Sequence, residues 1–309
     1  MRGLFATVAA LTALATFLLA DEALAWGPVA HLGFAVQLLS GAVVLSPSIL
    51  ALIRAYRDDF LHGNLAADGI VGKNRAKDHD HCHNWGVARK LLERSREEGD
   101  DRYAMMLGYV AHLGADVVAH NHIVPRLLIT HYRNKGVGHL YWEARADERM
   151  LALNPELKAT WRDLSSRRFP EHDRFLARQL VPTLFSNKVS AGLWKSGLLM
   201  QRNWPWRGVL KRIDAKSALS LEQEELALWE RLSVEAARKA LSNPFSRRLD
   251  NLDPTGREAL SIAGARRKQL RRKLKSTRKN GCDLTGLKTE HEQALIDAGI
   301  VDISMFEED

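Results

Sequence analysis

Histidines are concentrated in one stretch of the sequence. The 309-residue chain contains twelve, and ten of them lie between His31 and His139. Imidazole is a frequent metal ligand, and it is the side chain that titrates closest to neutral pH. This concentration predicts a catalytic or metal-binding core in the first half of the chain.

Two histidine–carboxylate pairs have the spacing by which a helix places two side chains on one face. His112 and Asp116 lie four residues apart in an apolar run, and His139 and Glu143 repeat that spacing. Such side chains are one turn apart, so each pair can bind a single ion. One pair alone is usually an ordinary surface feature. Two pairs, together with Asp68 and further histidines, favour a metal site.

Two groups of histidines leave the choice of ligand open. His79, His81 and His83 alternate, and an extended backbone would turn all three to one side, although not all need bind metal. His120 and His122 present a similar choice. An unbroken helix would place His120 on the face of the first pair, whereas a turn before the following proline would direct His122 to a different metal.

The hydrophobic pattern predicts a mainly α-helical protein. Apolar residues recur at the i, i+3, i+4 spacing of helices, and alternating runs typical of strands are rare. We predict helices over residues 28–44, 47–56, 86–98, 101–120, 141–153, 173–184 and 219–241. Pro125 is expected to end the fourth of them, because proline removes a backbone donor.

The N-terminus has the features of a secretory signal peptide. Arg2 precedes an apolar run over residues 4–20, and Ala23-Leu24-Ala25 fits the small-x-small cleavage rule. Removal of residues 1–25 would export the protein to the periplasm or the medium and leave Trp26 as the first residue. An uncleaved membrane anchor is the alternative.

Charge and cysteine content narrow the class of protein. A net charge of +8 suits an anionic substrate such as phospholipid or nucleic acid, although a basic secreted protein of another kind would have the same charge. Only Cys82 and Cys282 are present, which excludes a scaffold built on disulfides and leaves one bridge open.

The composition changes after residue 243. Nine of the fourteen residues 266–279 are Lys or Arg, interleaved with Leu270 and Leu274. This pattern predicts a basic amphipathic helix that contacts anionic membrane or nucleic acid, with a solvated helical face or an irregular tail as the alternative. The predicted organisation is a signal peptide (1–25), a catalytic domain (26–243) and a basic helical extension (244–309).

Taken in order, the candidate ligands resemble those of the bacterial zinc-dependent phospholipase C family and the related single-strand-specific zinc nucleases. Nine positions carry the resemblance: Trp26, His31, Asp68 in Gly63-Asn-Leu-Ala-Ala-Asp68, His81, His112, Asp116, His122, His139 and Glu143. As metal ligands, the resemblance favours His81 over His79 or His83, and His122 over His120. It implies an all-α multi-helix bundle with a trinuclear zinc site.

The resemblance also implies a role for each ligand. One zinc ion would be held by Asp68, His81 and His112, and a second by Trp26 and His31, with Asp116 bridging the two. A third would be held by His122, His139 and Glu143. Water activated by the paired ions would attack phosphorus in line, with Asp68 accepting its proton. Asp68 and Asp116 are thus the predicted catalytic residues.

The ligand set does not distinguish lipid from nucleic acid. Choline-specific members have aromatic residues where this chain has Gly69 and Asp78, so a choline cage is not expected. The spacing from Trp26 to His31 resembles the nuclease branch, whereas residues 78–85 and 109–116 resemble the phospholipase branch. The prediction is a phospholipase C acting on phospholipid at a membrane surface. A nuclease releasing 5′-nucleotides is the alternative, and a catalytically idle metal-binding protein is a third.

Overall fold

The computed structural model describes residues 26–41, 43–69, 81–132, 139–180 and 223–280. Every regular element in these ranges is helical, which confirms the predicted all-α class. The α-helices are α1 (Pro28–Ser40), α2 (Pro47–Ala55), α3 (Arg57–Ala66), α4 (Trp85–Glu98), α5 (Asp100–Val118), α6 (Val124–Thr130), α7 (His139–Leu153), α8 (Pro155–Ser166), α9 (Pro170–Gln179), α10 (Gln223–Ser242) and α11 (Arg257–Asn280).

Three short turns complete these elements. A 3₁₀ turn (Ala67–Gly69) follows α3, a π-helical turn (Ala119–Ile123) joins α5 to α6, and a second 3₁₀ turn (Arg247–Asn251) precedes α11. Within the described ranges, no helix combines the length and apolar character needed to cross a membrane. The predicted signal peptide, residues 1–25, lies outside them.

The central helix of the fold is α5. Its residues from Ala104 to Val118 are all buried, and it packs against α3, α4 and α10. A helix covered in this way is apolar on nearly every side. His112 and Asp116 are therefore enclosed by hydrocarbon, where a charged group needs a compensating partner.

Two glycines allow α3 to approach α5 closely. A Cβ atom on Gly63 would overlap the carbonyl oxygen of Met105, and one on Gly108 would overlap that of Phe60. Only glycine fits at these crossing points. The close approach brings Asp68, which follows α3 directly, toward the middle of α5.

The helix boundaries differ from the predicted ones for identifiable reasons. Helix α1 ends at Ser40 instead of residue 44, because Gly41 adopts φ +81° and closes the helix in the left-handed conformation. Helices α3, α6 and α8 were not predicted. Gly63 and Asn64 are poor helix formers, so α3 depends on its packing against α5 more than on its own sequence.

Pro125 does not end the helical path. The π-helical turn Ala119–Ile123 is inserted ahead of it, and Pro125 falls in the first turn of α6, where a missing N–H has no helical partner to lose. His120 and His122 both lie in the π-helical turn. Single π-helical turns of this kind are frequent at functional sites.

The described part of the extension, residues 244–280, packs against the preceding helices. The indole N–H of Trp85 donates to the carbonyl of Leu252 at 2.8 Å. The Arg89 guanidinium donates to the carbonyls of Pro244 and Ser246 at 3.1 and 3.2 Å. These contacts attach the segment before α11 to helix α4.

Helix α11 covers α6 through a small apolar cluster of its own. Ala263, Leu270 and Leu274 are buried against Ile129 and Tyr132. The basic segment is therefore a helix whose apolar side docks on the protein, a contact that the sequence did not predict, and its binding to an anionic partner stays a prediction. The domain boundary at residue 243 stays a prediction.

Candidate metal centre

Four side chains from three segments converge inside the fold, and we call them the four-residue cluster: Asp68, His83, His112 and Asp116. Nε2 of His83 lies 3.1 Å from Nε2 of His112, 3.1 Å from Oδ2 of Asp116 and 3.2 Å from Oδ1 of Asp68. Nε2 of His112 lies 3.0 Å from Oδ2 of Asp116 and 3.8 Å from Oδ1 of Asp68. All four side chains are buried.

These distances fit the ligand shell of a zinc ion. Tetrahedral zinc with nitrogen and oxygen ligands about 2.1 Å away separates neighbouring ligand atoms by roughly 3.4 Å. Four of the five separations are 3.0–3.2 Å and the fifth is 3.8 Å, so all lie close to that value. Two imidazole nitrogens and two carboxylates that converge on one point are satisfied by a cation better than by hydrogen bonds among themselves.

The tautomer of His112 is set by the backbone of α3. Its Nδ1 lies 2.9 Å from the carbonyl oxygen of Asn64, which can only accept, so Nδ1 carries the proton and donates. The lone pair of Nε2 is then directed toward the cluster. Metal-binding histidines are commonly oriented by such a hydrogen bond from the other ring nitrogen.

His83 belongs to the four-residue cluster, whereas the family resemblance favoured His81 as the metal ligand. Nδ1 of His81 accepts the backbone N–H of His83 at 3.0 Å, which places the proton of the neutral ring on Nε2. His81, Cys82 and His83 still form a group whose ligand atoms lie within 4.8 Å of one another. The alternation of the histidines was the available signal for His83, and His79 lies outside the described residues.

The segment that carries His83 is anchored to α5 by Tyr109. The phenol O–H donates to the carbonyl of Cys82 at 2.6 Å, and Sγ of Cys82 lies 3.3 Å from Nδ1 of His83. Burial, and then the nearby Cys82 and Asp68, raise the pKa of Tyr109 above its ordinary value, so it remains a neutral donor. Cys82 is a buried thiol, and Cys282, the other cysteine of the bridge that the sequence left open, lies outside the described residues.

We expect His83→Ala and His81→Ala to have unequal effects. Loss of an outer-sphere partner costs about 10–100-fold in metal affinity or activity, and loss of a ligand costs more. His83→Ala should therefore lower both zinc content and turnover by more than about a hundredfold, and His81→Ala by about tenfold. Zinc analysis and initial rates on the two purified variants measure this. If His81→Ala lost more zinc and turnover than His83→Ala, His81 would be the ligand.

A second possible ion position lies on the other side of Asp116. Oδ1 of Asp116 is 3.2 Å from Nε2 of His31, while its Oδ2 faces His83 and His112, so the carboxylate has one oxygen on each side. The His31 ring stacks on His112 with centroids 3.8 Å apart. His31, Asp68 and His112 also form a group that could hold a metal.

The His31 ring is suited to bind a cation. Burial, and then the neighbouring His112, lower the pKa of His31, which keeps the imidazole neutral with a free lone pair. Among the described residues, Nε2 of His31 and Oδ1 of Asp116, the two atoms that face this position, both lack a hydrogen bond of good geometry. A buried polar atom without a partner is costly, and a bound ion or the water on it would remove that cost.

Trp26 is fixed just before α1 by Ser233 of α10 and by Phe34 of α1. It is 2% exposed, its indole N–H donates to Oγ of Ser233 at 3.0 Å, and its ring meets Phe34 edge-on at 5.2 Å. The backbone N–H of His31 donates to the carbonyl of Gly27 at 3.3 Å. The residue predicted to begin the mature chain is therefore held one helical turn from a candidate ligand.

Asp147 of α7 caps the helix that carries His31. Its carboxylate accepts the backbone N–H groups of Val29 and Ala30 at 3.2 and 2.9 Å. A Cβ atom on Gly27 would overlap this carboxylate, so glycine is required there. The sequence gave no signal for Asp147, because the two partners lie more than a hundred residues apart.

Asp147 should make stability depend on pH. Burial raises its pKa from 3.8 to about 7, although the Ala30 and Val29 N–H groups oppose the shift. Between about pH 4 and 7 the native carboxyl keeps a proton that the unfolded chain has lost, so its contribution to the free energy of unfolding falls by about 1.4 kcal/mol per pH unit as pH rises.

Urea denaturation of zinc-free wild type and Asp147→Asn across that range measures the effect. The amide does not titrate, so the stability of the variant relative to wild type should rise with pH. A difference that stays constant from pH 4 to 7 would contradict the assignment.

The remaining predicted ligands are only partly described. Glu143 of α7 is buried, and His122 is buried in the π-helical turn, but of His139 only the backbone is described. Helices α6 and α7 are in contact, which brings the two segments near each other. The third metal site stays a prediction. His120 instead packs against Gly256 of the extension.

A cavity of about 600 Å³ opens beside the four-residue cluster. His81, His83 and Trp85 form one side of it. The other side is formed by the extension through Asp250, Leu252, Asp253, Pro254, Thr255, Arg257, Glu258, Ser261 and Ile262. The cavity therefore reaches the candidate metal centre at His83, and the extension forms part of the cavity wall.

Comparison with known proteins agrees with this chemistry. The family model described as zinc-dependent phospholipase C matches residues 30–183, about half of the chain. That range includes the four-residue cluster and His31. No curated protein and no solved structure matches the chain. A zinc-binding cluster built on an all-helical scaffold is what this family requires, and through residues 30–183 the chain belongs to the zinc-dependent phospholipase C family.

Proposed function

We propose that this protein is a secreted phospholipase C that hydrolyses glycerophospholipids to diacylglycerol and a phosphorylated head group. The family supports a zinc-dependent hydrolase. The observation that carries the proposal furthest is the four-residue cluster beside a 600 Å³ cavity, because it combines a zinc-like ligand shell with room for a phosphodiester.

The residues that would hold zinc follow from the cluster. Asp68, His83, His112 and Asp116 would hold one ion, and His31 with the Trp26 amine and carbonyl would hold a second. Asp116, which has one oxygen toward His31 and the other toward His83 and His112, would serve both. A third ion would be held by His122, His139 and Glu143, as the family resemblance implies. When bound, zinc makes water a stronger nucleophile near neutral pH and neutralises charge on a phosphoryl group.

The chain's own side chains have distinct tasks in this scheme. Asp68 would also accept the proton of the attacking water, as the family resemblance implies, because its carboxylate lies at the cluster. His112 is held in one tautomer by Asn64, so it need not rotate or exchange a proton during turnover. The apolar surroundings of α5 exclude bulk water from the back of the site, which strengthens the electrostatic interactions there.

Substrate class is tested by offering zinc-loaded protein that begins at Trp26 both mixed phospholipids and single-stranded DNA. We expect diacylglycerol to form, with loss of activity on chelation and recovery with zinc. Release of 5′-nucleotides without diacylglycerol would identify the nuclease alternative. The absence of both products, with zinc bound, would indicate a catalytically idle metal-binding protein and overturn the proposal.

A further inference from the structure

The exposed side of α11 is a continuous basic face. Lys268, Arg272 and Lys275 are all exposed, and no salt bridge within the described residues involves them. Spaced at i, i+4 and i+7, they project in nearly the same direction from a helix of 3.6 residues per turn. We call these three residues the basic face.

The opposite side of α11 is the side that docks on the protein. At 100° per residue, Ala263, Leu270 and Leu274 project roughly 180–240° away from Lys268. These are the residues buried against Ile129 and Tyr132. Docking of the apolar side therefore fixes the basic face toward solvent.

Acidic residues of α11 do not balance its positive charge. From residue 259 to residue 280 the sequence has no acidic residue, and Glu258 in the first turn is the last carboxylate before that run. Burial, and then the neighbouring Arg271, lower the pKa of Arg267, a sign that like charges repel one another here. A concentration of unbalanced positive charge favours an anionic partner.

The basic face lies on the same side of α11 as the cavity. Ser261 lines the cavity, and Lys268 and Lys275 follow it at intervals of seven residues, which is about two helical turns. Lys268 is thus about 10 Å along the helix from a residue that forms the entrance of the candidate metal centre.

We propose that the basic face of α11 binds anionic phospholipid surfaces and so orients the cavity toward the membrane. This inference rests on the proposed function, since a lipid-hydrolysing site gains by facing its substrate. Nucleic acid is the less favoured partner, because single-strand binding uses aromatic side chains to stack on bases and residues 257–280 include none.

The test is sedimentation of the full chain beginning at Trp26 with vesicles of phosphatidylcholine, alone or mixed with phosphatidylglycerol. The matched variants are K268E/R272E/K275E and, on the exposed surface of α8 and the loop that follows it, K158E/R162E/R168E. Each Lys or Arg at an anionic surface contributes roughly fivefold to binding, so the α11 variant should lose about a hundredfold or more in partitioning onto mixed vesicles. The control variant should change by no more than about threefold.

Two further readings separate this inference from the proposed function. Both variants should hydrolyse a dispersed short-chain phospholipid at the wild-type rate, which also shows that they are folded. Wild-type binding to mixed vesicles should fall as salt is raised, because screening shortens the range of the attraction.

The inference is overturned if wild type binds neutral and mixed vesicles equally, if both variants lose binding equally, or if a single-stranded oligonucleotide uses the basic face while vesicles do not. Salt-sensitive vesicle binding without hydrolysis of any phospholipid would leave the inference standing and overturn the proposed function.

Discussion

Asp116→Asn should abolish hydrolysis and weaken the binding of two zinc ions at once. The two carboxylate oxygens face different partners, His31 on one side and both His83 and His112 on the other. An amide offers one neutral oxygen in their place, and its NH₂ group would point at one of the two ions. A loss of about 4 kcal/mol of charge stabilisation corresponds to roughly a thousandfold in rate.

The electrostatics of the site support this expectation. Burial alone would raise the pKa of Asp116, yet His112 and His31 hold it well below its ordinary value, so the carboxylate is charged before any metal binds. Asp100→Asn, an exposed carboxylate in the first turn of the same helix, is the matched control and should retain activity and zinc. Full turnover by Asp116→Asn would contradict the expectation that Asp116 binds two zinc ions.

Adding one residue before Trp26 should reduce turnover by about a hundredfold or more and leave the protein short of one zinc ion. A free α-amine has a pKa near 8, so it can lose its proton and offer a lone pair to zinc. The lone pair of a peptide nitrogen is delocalised into the carbonyl group and is not offered. Ser233 and Phe34 hold the side chain of Trp26, and Asp147 caps the helix that follows, so the backbone amine of Trp26 belongs to a position that is already fixed in the fold.

Two controls make the N-terminal experiment specific. The same extra residue at the C-terminus should have no effect. Trp26→Phe removes the hydrogen bond to Ser233 but keeps the backbone amine and carbonyl, so it should retain zinc and most of the activity. Three zinc ions and full activity in the extended chain would contradict the proposal that Trp26 is a ligand.

Much of the site could be predicted because its chemistry is local in the sequence. The i, i+4 spacing of His112 and Asp116 on an apolar helix places them together in the structure, and the all-α class follows from the same periodicity. The position of His83, instead of His81, beside Asp68, His112 and Asp116 could not be predicted from the alternation of the histidines. It depends on a hydrogen bond within residues 81–83 and on Tyr109 holding Cys82.

Other features depend on tertiary contacts that no periodicity encodes. Asp147 caps α1 from more than a hundred residues away, and the extension forms one side of the cavity through residues 250–262. The π-helical turn before Pro125 could not be predicted either, because a proline in an apolar pattern ordinarily indicates a helix end. Packing of α11 on α6 is what stabilises the chain beyond that turn.

The most direct test of the central claim is a crystal structure of the zinc-loaded protein with anomalous data collected at the zinc absorption edge. We expect a zinc peak enclosed by Asp68, His83, His112 and Asp116, with ligand distances of about 2.0–2.2 Å. A second peak should lie between Asp116 and His31. A zinc ion bound through His81 with His83 turned away, or no peak within the four-residue cluster, would contradict it.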